Sequence, residues 1–454
     1  MKSWWKAAWL VVLLVVGCLT LTVMPATGPQ KLSITYGEPW RELFEPAIAD
    51  FKAKYPDVEL EVTMVPYGVD MVEKVSLDLA AGVASDIIMV DSFMIPEWAE
   101  AGYLYPLDDY LAKWPDWEQY YPGMQEIVAF GGKHYGVMID TDVRMLWYWK
   151  PVFEKAGIPM PWEPKDWDDV INTALLIKEK VPEVKAPLFI PMGTKWAEGT
   201  TMQGFYMVLL GADTPENDCN RLRDWEAGKW IGSSPAIWEA LRFYHDVFYR
   251  LKLCPVEPHY VPDVWGEWRR MMREGEIGIG LGGSWEWTEF WPKEELPPVE
   301  EREKLLGWAP MPGSGKPGAP KIVTISGGWA LGINAAAKDP DLAWKFFEVL
   351  FTRDRMGEWL AFAGKIATRK DVTEVPAYAE NKYLVDVLKL MDYTTYRDTY
   401  PGYSRVSFYV QEATADVAVE GLTPAEAMER FKEKLIEEFG TENVTTCTCI
   451  CACE

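Results

Sequence analysis

Two carboxylates and a guanidinium stand within five residues at Asp140, Asp142 and Arg144, in the stretch IDTDVR. Glycine pairs precede three indoles, Trp285 and Trp287 in GGSWEW and Trp329 in GGW, and such glycines let backbone approach a bound molecule closely. Charged oxygen and nitrogen groups give directional hydrogen bonds to hydroxyls, and an indole face offers an apolar platform. The combination suits recognition of a hydroxyl-rich solute. Asp91, at the end of the apolar run Ile87 to Val90, is a further polar candidate. Trp40 follows the first predicted strand and Trp196 lies in a Gly- and Thr-containing loop. Each assignment has a structural competitor: an Asp142–Arg144 ion pair for the charges, and core packing or exposed packing for the indoles.

Signals for bond-breaking chemistry fail on inspection. Gly278, Gly280 and Gly283 match GxGxxG, but they lie within and at the end of a predicted strand and run into Trp-rich sequence, which argues against a dinucleotide site. GSGKPG has Lys316 without a following Ser or Thr, so it is no phosphate-binding loop, and GGSWE lacks the closing Gly of a nucleophile elbow. His134, His245 and His259 are isolated, with no HExxH spacing. No catalytic residue, metal or cofactor is expected.

The elements that must carry these residues read as α/β. Ser33 to Tyr36 predicts a strand, Leu43 to Phe51 an amphipathic helix, and Val58 to Met64 a half-buried strand at period two. Asp70 to Ala81 predicts a helix stopped by Gly82, and Ile87 to Val90 a buried strand, giving a βαβαβ unit with a parallel sheet. Ligands of such sheets sit outside the carboxyl ends of the strands. Lys133 to Ile139 and Val143 to Trp149 predict two extended segments meeting at the Asp140–Asp142 corner, and a helix from Pro151 stops at Gly157. Asp166 and Asp339 are predicted helix caps, and Thr423 with Glu426 a capping box.

A chain of 454 residues exceeds what one core organises, so two lobes are expected. With 45 Lys and Arg against 69 Asp and Glu, the formal charge of -24 repels nucleic acid and anionic membranes. The start, with Lys2 and Lys6 before a long uncharged apolar run, reads as an export signal. VVGC ending at Cys18 is similar to a bacterial lipobox, and an uncleaved helix is the alternative; either predicts an extracellular or periplasmic protein tethered to the membrane. In that oxidising setting Cys219 and Cys254 are expected to pair. Residues 441–454 read as a Cys-rich tail, within which CTCICACE has cysteines at every second position, too tight for zinc, and reads as frayed.

Four stretches in order resemble the extracellular solute-binding proteins of ABC importers, in the cluster that includes maltose-binding proteins. They are GKHYGVMIDTDVRMLWYWKPVFEKAGI, GEIGIGLGGSW, GGWALGINAAAKDPDLAWKFFEVL and ATRKDV. The resemblance implies two α/β lobes of the periplasmic-binding-protein type, each a mostly parallel sheet flanked by helices, with the ligand in the cleft between them. It puts residues 31–140 with 328–371 in one lobe and 141–327 with 372–440 in the other. It also implies a non-enzymatic, monomeric protein that hands a sugar or oligosaccharide to an ABC permease. Arg369 matches a family arginine that is more often structural. Met138, Trp149 and Ala367 depart from the usual residues near the cleft, so the identity of the ligand does not carry over. A secreted glycoside hydrolase, or the same fold holding a polyamine or other cationic solute, are the alternatives that an acidic, Trp-rich chain permits.

Overall fold

A computed structural model of the chain describes residues 30–66, 71–212 and 219–447. Cys18 with the rest of the N-terminal run, Tyr67 and the last three cysteines lie outside them. Among the described residues no helix is long and apolar enough to cross a membrane.

The first lobe is built on a five-stranded sheet. Strands Gln30–Gly37, Val58–Val65 and Ile87–Asp91 pair in parallel, with Gln30–Gly37 in the middle, as the βαβαβ pattern predicts. Helix Arg41–Lys54 covers one face with Leu43, Phe44, Ala47 and Phe51. Two more strands, Trp329–Ile333 and Val137–Met138, extend the sheet in antiparallel sense. The complete sheet is therefore mixed: Trp329–Ile333, returning from the far lobe, runs against the first three strands, and Val137–Met138, antiparallel to it, runs with them. That register sets Trp329 directly opposite Asp91.

Four of the five strands of the first lobe thus run in one sense, and it is the second lobe that corrects the mostly parallel expectation. Its central strand Arg144–Trp149 pairs antiparallel with Leu306–Ala309 and with Ile277–Gly283, and only the Ile277–Gly283 pairing with Ala186–Phe189 is parallel. The glycines of Ile277–Gly283 are packing devices. A side-chain carbon on Gly280 would collide with the buried Trp268 ring, and one on Gly283 with the ring of Trp285.

The predicted caps form. Asp166 accepts from Asp169 N at 2.9 Å and Asp339 from Leu342 N at 2.9 Å. Both halves of the Thr423–Glu426 capping box are present at the start of helix Pro424–Phe439.

The segments that pass between the lobes meet at Thr141, which is fully buried. Its N–H and C=O bond with the C=O and N–H of Ile366 at 3.3 and 3.1 Å, and its Oγ1 donates to Gly327 O at 2.8 Å.

The cysteine expectations are overturned. Cys219 is bonded to Cys447, with Cα atoms 5.6 Å apart, and Cys254 is a free, buried thiol. The reason is the tail itself. Residues Val444–Thr446 add a parallel strand beside Lys229–Ser233, which carries Cys447 to Cys219. Cys254 faces inward, with its Sγ 3.5 Å from His259 Nε2, and burial pushes its thiol well above the usual range.

Candidate functional site

Two elements of the first lobe converge on the Asp140 carboxylate. Strand Gln30–Gly37 ends in a tight turn, Glu38–Trp40, whose indole Nε1 donates to Asp140 Oδ2 at 2.9 Å. The backbone N of Trp329 donates to Asp140 Oδ1 at 3.1 Å. The two indoles then meet edge to face, 5.1 Å between ring centres, with Trp329 half-buried and Trp40 buried. Burial pushes the Asp140 carboxyl up to about 6, opposed by the charge of Lys365 and the Trp40 hydrogen bond.

Facing this group is a buried charge cluster of the second lobe. Arg144 Nη1 bonds Asp142 and donates to Ile325 O at 3.2 Å, while Gly327 N donates to Asp142 Oδ1 at 3.1 Å. Burial lowers the pKa of Arg144 against the pull of Asp142. The structural ion pair foreseen for Asp142 and Arg144 thus exists. Two cations approach the Trp285 ring: the Arg144 guanidinium is 5.1 Å from its centre, and Lys365 Nζ, from the first lobe, is 5.0 Å away.

A residue that sequence reasoning missed joins the lobes. Arg397 Nη2 bonds Asp91 Oδ1 at 2.8 Å and Ser92 Oγ at 3.3 Å in the first lobe, while Nη1 bonds Glu198 Oε2 at 3.0 Å in the second. Its guanidinium also lies 4.7 Å from the Phe93 ring. Glu198 accepts in addition from Tyr403 OH at 3.1 Å. Burial raises the Asp91 carboxyl, against the pull of Arg397. Burial also works against the Arg397 charge, yet the flanking Asp91 and Glu198 hold its pKa above the usual value. The next residue, Asp398, anchors the segment by accepting from Tyr206 OH and Leu222 N, each at 2.9 Å.

Of the sequence-predicted residues, Trp40, Asp91, Asp142, Arg144, Trp285 and Trp329 are brought to this interlobe seam. Trp196 and Trp287 are not. Trp196 is 2% exposed and donates to His259 Nδ1 at 3.0 Å inside the second lobe. Trp287 stacks on Tyr383 at 4.8 Å and carries the Arg302 guanidinium at 4.6 Å. Both are core residues: Trp287, on the short helix Glu286–Glu289, lies over Trp147 of the second sheet, and Trp196, in the turn Thr194–Trp196, packs on Phe189 of the same sheet. Arg369 is structural too, bonded to Asp371, Asp116 and Phe351 O. Arg397, Glu198 and Lys365 carry no local motif; only the tertiary fold assembles them.

Chemically the seam offers indole surface, carboxylate acceptors and guanidinium donors. Asp140 has both oxygens occupied as acceptors, which suits holding geometry and not giving a proton. Among the described residues no group of His, Cys, Asp and Glu is placed to hold a metal ion. Two surface depressions, of about 340 and 460 Å³, lie around Trp167 and Arg242 and around Trp359 and Phe362, and none of the seam residues lines either.

Comparison with known proteins agrees with this architecture. A binding protein of Brucella abortus is 22% identical over 418 residues, 91% of this chain and 93% of its own. An ABC transporter solute-binding protein from Thermotoga lettingae, solved with alpha-D-tagatose, superposes with a TM-score of 0.75 at 25% identity, covering 90% of this chain and 99% of its own. A maltose-bound protein of T. maritima shares the fold, with a TM-score of 0.73 at 24% identity and coverage of 90% and 99%. Residues 33–356 match the bacterial extracellular solute-binding proteins, and the chain belongs to that family.

Proposed function

We propose that this protein captures a neutral sugar or oligosaccharide between its lobes and delivers it to a membrane permease powered by a separate ATPase, without chemistry of its own. The observation that carries this reading is the half-buried Trp329 indole, set edge-on against Trp40 and directly opposite Asp91 in register. A sugar ring has an apolar C–H face for indole and hydroxyls that need partners once water leaves. Trp40, Trp285 and Trp329 would supply the former, and Asp91, Asp142 and Arg144 the latter. The tagatose and maltose held by similar proteins support the class.

A cationic solute would need free carboxylates, and Asp91, Glu198 and Asp142 are already paired with arginines. A hydrolase would need a carboxylic acid able to give a proton across a sugar, and the Asp140 oxygens are engaged as acceptors. The working unit is a monomer with lobes of about 31–140 plus 328–371 and 141–327 plus 372–440, held at the cell surface by the segment before Gln30, through Cys18 or an uncleaved helix.

A thermal-shift screen against a carbohydrate library tests the reading. A ligand that binds only the native state adds about 2.7 kcal/mol at a hundred times its Kd. Stabilisation by sugars with no shortened products is expected. Product formation would instead make the protein a hydrolase, and stabilisation by polyamines alone would move it to the cationic class.

A further inference from the structure

One tryptophan among the described residues is more than half exposed: Trp225, at 52%. It is not a loose side chain. Its Nε1 donates to Asp398 Oδ1 at 3.1 Å, and the guanidinium of Arg223 lies 5.2 Å from its ring centre. Arg223 itself is buried, 3.6 Å from the ring centre of Tyr400 and 4.9 Å from that of Trp230, and it donates to Gly228 O at 3.0 Å. Trp225 and Tyr400, itself 37% exposed, stand nearly perpendicular at 79°, 6.2 Å apart, and so form a corner and not a flat patch. From the first lobe, Phe130 approaches Tyr400 to 6.5 Å.

This corner is continuous with the interlobe seam. Tyr400 lies three residues beyond Arg397, no more than about 11 Å of chain, and Asp398 holds both Trp225 and the Arg397 segment. We propose that Trp225 and Tyr400, closed over by Phe130, form an outer platform for a sugar ring of an oligosaccharide whose inner rings occupy the seam. This rests on the sugar-binding reading and deepens it: the physiological ligand is a chain of several units and not a monosaccharide. The indole and phenol faces take the C–H faces of that ring. The arginine beneath fixes both aromatic rings in place before the ligand arrives, so little side-chain freedom is lost on binding.

Calorimetric titration of the full chain with malto-, manno- and arabino-oligosaccharides of increasing length, and with their monosaccharides, tests this. For the class that binds, affinity should rise with length. Trp225→Ala should weaken the longest ligand by about 10-fold or more and leave the shortest one that binds unchanged, with Phe130→Ala acting in the same sense from the other lobe. On the wild-type protein, the longest ligand should protect Trp225 from N-bromosuccinimide oxidation in a peptide map, and the shortest should not. Equal losses at every length, or none, together with an unprotected Trp225, would overturn the outer platform while leaving sugar binding intact. Failure of every carbohydrate to bind would overturn the sugar-binding reading, and the platform with it.

Discussion

Arg397 Nη2 sits 2.8 Å from Asp91 Oδ1, and through this bond a side chain anchored in the second lobe holds the carboxyl end of a first-lobe strand. Glu198 holds the other arm of the same guanidinium at 3.0 Å. The guanidinium thereby ties the two lobes together across the seam. A ligand then competes with, or completes, a contact the protein already makes.

Replacing Arg397 by Met should therefore open the unliganded protein. Small-angle scattering should show a larger radius of gyration for the variant, and unfolding should be easier by roughly 3–5 kcal/mol, the usual cost of stranding buried partners. A profile identical to wild type would remove the latch.

Asp140 makes stability depend on pH in a specific sense. Its native pKa is raised to about 6 from the ordinary 3.8, so the folded protein holds this proton more tightly than the unfolded chain. The contribution is fully present below about pH 4 and is lost as pH rises through 6, by roughly 3 kcal/mol at most. Urea unfolding of wild type and Asp140→Asn at pH 4 and pH 7.5 checks this. The variant should gain on wild type at the higher pH, and a constant difference between the two proteins would contradict it.

The two seam indoles should behave differently. Trp329 is only half-buried, so Trp329→Ala should weaken sugar binding by roughly 30- to 150-fold, equivalent to about 2–3 kcal/mol of burial and stacking, with little change in melting temperature. Trp285 is 9% exposed and has two cations about 5 Å from its ring centre, so Trp285→Ala should lower the melting temperature as well as affinity. Thermal unfolding without ligand separates the two, and equal melting temperatures would place Trp285 outside the folded framework.

A non-reduced digest should yield a Cys219–Cys447 linked peptide and a free Cys254 that reacts with thiol reagents only after unfolding. Cys447→Ser should destabilise by on the order of 5 kcal/mol in the chain-entropy model, because the closed loop spans 228 residues. Finding Cys254 in the linked peptide would restore the pairing expected from sequence.

What was legible before the structure follows physical range. The caps at Asp166, Asp339 and Thr423 act within three residues, and all three form as read. Strand identity and the Asp140–Asp142 corner were likewise written in local pattern. The sense of the later strands was not, since Trp329–Ile333 takes its direction from a return across the lobes. Nor could spacing show that Trp287 faces Tyr383, 96 residues on, or that Cys219 prefers a partner 228 residues away over one 35 away. Arg397 follows an unremarkable Thr–Thr–Tyr strand, and its importance comes from Asp91 lying 306 residues earlier.

The bonding of Thr141 to both Ile366 and Gly327 gives the molecule a single fulcrum. When two rigid bodies turn about a common point, displacement grows in proportion to distance from it. Asp140 and Trp329 adjoin that point, so a turn about it would displace them little and would leave the inner seam its shape. Phe130 and Tyr400 face each other from different lobes at 6.5 Å, and their separation would change as the jaws move. Shape selection would thereby fall to the still centre, and the report that the jaws have shut to the edge where Phe130 meets Tyr400.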